Sequence, residues 1–170
     1  VRSSERPDRP VVRSYAFAAG YLLAWTAFSV GATALQWGLS AAGLLSPMMT
    51  LTGPSLGGVI LVAAGAYQFT ALKRICLTRC RSPMTWLPAH WRPGVSGALR
   101  MGTEHGLYCV GCCWVLMLVL FAAGVLSLAV IGAITVFVLL EKLAALVVQG
   151  GRLSGAALVV AGAVVLAGWW

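Results

Sequence analysis

The chain has 170 residues, 60% hydrophobic and 9% charged, which excludes an ordinary soluble domain, where about a quarter of the residues carry charge. A bilayer absorbs that much apolar surface, whereas one soluble core of this length does not. The net charge of +8, twelve Lys and Arg against four acids, sits at the edges of apolar runs. It therefore reads as topology signals facing lipid headgroups and excludes nucleic acid as a partner.

Residues 1–14 form a basic arm holding Arg2, Arg6, Arg9 and Arg13. No apolar core and cleavage site follow as in a secretory signal, and Val1 in place of Met predicts either an unusual start codon or a missing N-terminal portion. Residues 15–170 read as an all-α polytopic membrane bundle of about five transmembrane helices. Their expected positions are about 15–38, 54–75, 105–124, 125–142 and 153–170, since a span needs about 20 apolar residues. The third and fourth form one apolar stretch that must turn, and Gly124 is the expected corner. Segment 76–100 is expected as a cytoplasmic loop, broken at Pro83, Pro88 and Pro93-Gly94. Trp86, His90 and Trp91 within it predict a short interfacial segment.

The basic arm, the 76–100 loop and the Glu141–Arg152 connection alternate with uncharged connections at 39–53 and near Gly124. The positive-inside rule then places the N-terminus in the cytoplasm and the C-terminus outside. Small residues crowd the second helix (Gly58, Ala64, Gly65) and the last (Gly155, Ala161, Gly162). They predict close helix packing within the chain, with homo-oligomer contacts as the alternative.

All five cysteines fall on the expected cytoplasmic side. Cys76 and Cys80 are four apart, so on a helix they share one face. Cys109, Cys112 and Cys113 lie in the first turns of the third helix, and His105 and Cys109 share a face with Cys112. Thiols and an imidazole at one depth on two helices predict a shared site for a soft metal, copper first and zinc second. Lys73, Arg74, Arg79, Arg81 and Arg100 are candidates for stabilising the deprotonated thiols. Glu104 is either a further ligand, a group orienting His105, or an ion-pair partner of Arg100. Glu141 and Lys142 read as a solvated helix end with a snorkelling lysine. His90 reads as interfacial and Met117 as core filler.

The run Gly102-Thr103-Glu104-His105-Gly106-Leu107-Tyr108-Cys109-Val110-Gly111-Cys112-Cys113-Trp114 resembles the DUF2182 family of bacterial integral membrane proteins described as metal-binding. Tyr67-Gln68, Leu72-Lys73, Cys76 to Pro83 and Glu141-Lys142 resemble the same family, over about Pro47 to Lys142. The resemblance implies a bacterial cytoplasmic (inner) membrane location and metal binding through His105, Cys109, Cys112, Cys113, Cys76 and Cys80. Family members carry a further Met- and Trp-rich apolar segment before the first helix seen here.

The leading expectation is a non-enzymatic membrane protein that binds or hands over copper or zinc. Its partners would be the lipid bilayer, the metal ion and a metalloprotein or a second copy of the chain. The alternatives are a membrane thiol-disulfide oxidoreductase using Cys109, Cys112 and Cys113, and a metal transporter or metalloenzyme assembly subunit. No catalytic triad, paired carboxylates or phosphate loop is present in the sequence.

Overall fold

A computed structural model of the chain describes residues 10–46, 51–81, 83–123, 127–143 and 148–168. Among these the chain is all helical, with seven helices: α1 (Pro10–Ala41), α2 (Pro54–Gln68), α3 (Ala71–Arg81), α4 (Pro83–Ala89), α5 (Gly94–Ala123), α6 (Leu128–Leu143) and α7 (Val148–Leu166). Two of them, α1 and the Gly94–Leu120 part of α5, are long and apolar enough to cross a membrane. The bent pair α2–α3 passes the same test if taken as one span, which makes three. With 16 residues, α6 is shorter than the roughly 20 a straight span requires, as is the apolar run Gly151–Leu166 of α7. The expected corner at Gly124 lies outside the described residues, as do residues 1–9 of the basic arm.

The central helix is α5, with α1, α2, α3 and α6 packed on it, while α7 lies along α2. Glycine makes these approaches possible. On α5, a Cβ at Gly102 would collide with the carbonyl oxygen of Phe17 on α1, and one at Gly106 would lie 3.0 Å from the Tyr21 carbonyl oxygen. Between α2 and α7 the small residues pair in antiparallel order, Gly58 against Gly162 and Gly65 against Gly155. A Cβ at Gly65 would stand 2.6 Å from the Gly155 oxygen. Backbones in lipid gain van der Waals contact by such approach, so the small-residue runs serve packing inside the chain.

Segment 76–100 is not the loop expected from its charges. It carries the end of α3, all of α4 and the start of α5. Arg100 and Glu104, four apart on α5, pair with each other at 3.1 Å. The prolines still divide it, since Pro83 opens α4 and Pro93 precedes α5. Trp86 is buried, packed with Ala98 and Met101 against Phe17.

One elbow places the cysteines of α3. The chain bends by 66° between α2 and α3. Thr70 sits in the bend, its hydroxyl donating to the Tyr67 carbonyl at 2.7 Å and accepting from the Lys73 N–H at 3.2 Å. It thereby adds a second bond to the Tyr67 carbonyl, which also accepts from the Thr70 N–H at 3.0 Å, and satisfies an orphan N–H of α3. The turn redirects α3 along α5, toward the helix that bears the other three thiols.

Candidate metal centre

The structure brings the two cysteine groups together. Cys76 and Cys80 face α5 from α3, and with Cys109, Cys112 and Cys113 they form one buried cluster. All five are free thiols. Tyr21 and Trp25 of α1, Tyr108 and Met117 of α5 and Val138 of α6 close around them. Cys80 lies in the same buried cluster as Cys109, Cys112 and Cys113. Cys76 packs where α5 has no side chain: a Cβ at Gly111 would lie 2.9 Å from its Sγ. The Tyr67 hydroxyl donates to the Gly111 carbonyl at 2.5 Å and ties α2 to the same turn.

Cys109 is the hub. The Lys142 ammonium donates to its Sγ at 3.0 Å, and the Tyr21 hydroxyl stands 3.3 Å away. Cys112 and Cys113 turn back along the helix and donate to the Cys109 carbonyl at 3.0 and 3.1 Å. The thiols therefore bond to one another and to backbone instead of converging on one point. Among the described residues no three His, Cys, Asp or Glu side chains are placed so as to hold a metal ion together. As a donor set, the cluster offers several soft sulfurs in a water-poor setting, which is the chemistry that suits Cu(I).

His105 lies one turn before Cys109, buried among the rings of Phe17, Tyr21 and Trp86 at centroid distances of 6.0, 6.2 and 5.6 Å. Its Nδ1 has no hydrogen-bond partner among the described residues. A buried polar nitrogen without a partner is costly and uncommon, and it leaves a donor atom beside the thiols. Glu104 is placed differently. Its Oε1 is shared by Arg100 at 3.1 Å and Arg92 at 3.2 Å, and its side chain is 29% exposed. His90 stacks on Trp86 with centroids 4.6 Å apart.

The residues around the thiols depart from their sequence reading at α6. Glu141 is 2% exposed and paired with Lys73 at 2.8 Å, so it is no solvated helix end. Lys142 points inward to Cys109, not out to headgroups. A buried ionisable residue takes a partner, and Glu141 finds one in Lys73. Of the cations named as thiol stabilisers, Lys73 goes to Glu141 and Arg79 lies over the Tyr108 ring, 4.7 Å from its centroid. Lys142 and Tyr21, the two groups that do reach a thiol, come from helices distant in sequence, and no local spacing marks them.

Comparison with known proteins adds one match. A family model named PpoB2, described as "Copper chaperone", matches residues 1–165. This is a copper-related family, in line with the metal-binding character implied by the sequence. No curated protein and no solved structure matches the chain.

Proposed function

The chain belongs to the PpoB2 family of copper chaperones, and from that premise we propose that it carries Cu(I) in the buried thiol cluster and passes it to a metalloprotein partner. The observation that supports this is the meeting of sulfurs from α3 and α5 around Cys109. Cu(I) is a soft ion that favours thiolate donors. Cys80, Cys109 and Cys112, which share one buried cluster, are the first ligands. Rotation of Cys112 away from the Cys109 carbonyl would aim it at the ion. Cys113, Cys76 and His105 stand next to that trio as exchange ligands, a requirement for a carrier that must release its cargo. Glu104 keeps its arginine partners and stays outside the set.

Several thiolates around one monovalent ion leave a net negative charge, which is costly in an apolar site unless compensated. Lys142 supplies that compensation at Cys109 and the Tyr21 hydroxyl a hydrogen bond. We read α6 and α7 as short spans that complete a five-helix bundle in a bacterial inner membrane. The N-terminus would face the cytoplasm, whose reducing poise keeps thiols free. The DUF2182-like run from Gly102 to Met117 is, in this reading, the thiol-bearing segment of the copper chaperone family.

An anaerobic titration tests the proposal. Cu(I) is added to the detergent-purified chain in competition with a cuprous chelator such as bathocuproine disulfonate. The expected result is copper retained by the chain against excess chelator and not displaced by an equal amount of zinc. A chain that surrenders all its copper to the first equivalent of chelator contradicts the proposal.

A further inference from the structure

The elbow between α2 and α3 borders a cavity of about 160 Å³ that no cysteine lines. Its wall includes Gln68, Lys73, Arg74, Arg81, Glu141 and Arg152, drawn from α2, α3, α6 and α7. Gln68 is 5% exposed, and neither its amide nitrogen nor its amide oxygen has a partner among the described residues. Glu141 gives Oε2 to Lys73 at 2.8 Å, while its Oε1 is buried and equally unpartnered. Among the described residues, no carboxylate pairs with Arg74, Arg81 or Arg152. Buried amides and carboxylate oxygens in folded proteins find partners. Here one donor and two acceptors without partners belong to residues lining a cavity to which three arginines also contribute.

We propose that this cavity binds a hydroxyl-bearing phosphate ester. The guanidinium groups take the phosphate oxygens, the geometry arginine favours. The Gln68 amide N–H donates to an ester oxygen, and hydroxyls of the ligand donate to Gln68 Oε1 and Glu141 Oε1. Lys73 neutralises Glu141, so the carboxylate does not repel the phosphate. The cavity lies where an apolar helix turns into the basic helix α3, the setting in which a polar headgroup meets a protein. The ester therefore comes either from an anionic glycerophospholipid headgroup or from a free polyol phosphate. The site is independent of the copper cluster.

Native mass spectrometry of the detergent-purified full chain distinguishes the cases, using short-chain phosphatidylglycerol, short-chain phosphatidylcholine and sn-glycerol 3-phosphate as probes. Phosphatidylglycerol is expected to be retained about tenfold more than phosphatidylcholine, and the Arg74→Gln, Arg152→Gln double variant to lose at least about tenfold of that retention, since one charge-assisted contact alone is worth that much. Cu(I) binding by the double variant should be unchanged. Displacement of the lipid by sn-glycerol 3-phosphate identifies a free polyol phosphate as ligand, whereas retention at saturating sn-glycerol 3-phosphate identifies the lipid; either outcome supports the site. Equal retention of the two lipids by the wild-type chain, or equal retention of phosphatidylglycerol by wild type and double variant, overturns it.

Discussion

Replacing Cys109 with serine should lower Cu(I) affinity by more than about 100-fold, beyond the 10- to 100-fold typical of groups that merely support a ligand. The size of the effect follows from how many elements converge on that sulfur. Tyr21 from α1 and Lys142 from α6 bond to the Cys109 sulfur, and Cys80 of α3 and Cys112 of its own helix share its buried cluster. A serine oxygen is hard and neutral, a poor donor to Cu(I), and it leaves the Lys142 ammonium facing no thiolate. Lys142→Met keeps every thiol and removes only the compensating charge. Its expected loss is within the 10- to 100-fold range of supporting groups. Cys113→Ser should cost less than either, because Cys113 bonds to the Cys109 carbonyl and to Cys112, not to the hub sulfur. Chelator competition on the three purified variants gives the ranking. Equal affinities for Cys109→Ser and wild type would remove Cys109 from the site.

The second large effect concerns stability. Lys73→Met should destabilise the chain by about 3–5 kcal/mol, the cost of stranding one partner of a buried ion pair. Lys73 and Glu141 have side chains only 3% and 2% exposed and lie 2.8 Å apart. Their bridge ties α3 to α6, next to the turn of α3 that carries Cys76. Without the ammonium, the Glu141 carboxylate must ionise in an apolar setting or take up a proton. The double change Lys73→Met with Glu141→Leu removes both charges and should recover most of the loss, because replacing a buried pair by apolar groups is often neutral. Thermal unfolding in detergent measures it: a lower Tm for the single variant and a Tm near wild type for the double. A single variant as stable as wild type would mean that the pair is not buried in the folded protein.

These two predictions separate what the amino-acid sequence reveals from what only the fold reveals. Composition shows the helical, apolar character of the chain directly, and the Gly58, Gly65, Gly155 and Gly162 pattern shows which helix faces approach closely. The thiol positions are local features too: spacings of three and four put cysteines on one face of a helix. What spacing cannot show is the direction in which a side chain turns at a helix end. Glu141 and Lys142 are adjacent and of opposite charge, and at the end of an apolar helix such a pair is compatible with water or with the interior. Their partners, Lys73 and Cys109, lie 68 and 33 residues away, so the choice is made by tertiary packing. The 76–100 stretch is the converse case. Its prolines and basic residues suggest a loop, whereas α3, α4 and the start of α5 make it largely helical.

The helix ends also account for how a buried cluster can serve a carrier. Cys76 and Cys80 sit on α3, which is joined to α2 through the single bend at Phe69–Thr70. The other three sulfurs are fixed on the long central helix. Ligands from a short bent helix and a long anchored one can separate without disrupting α5, and loss of the α3 sulfur lowers the number of thiolates on the ion. In the proposed role, transfer to a partner protein would proceed by exchange of thiolates one at a time.

X-ray absorption at the copper edge of the Cu(I)-loaded chain in detergent tests the role of the cluster most directly. The predicted result is a first shell made of sulfur, losing sulfur scatterers in Cys80→Ser and in Cys109→Ser alike, since one ion draws on both helices. A shell of nitrogen and oxygen, or a sulfur shell indifferent to both substitutions, would contradict it.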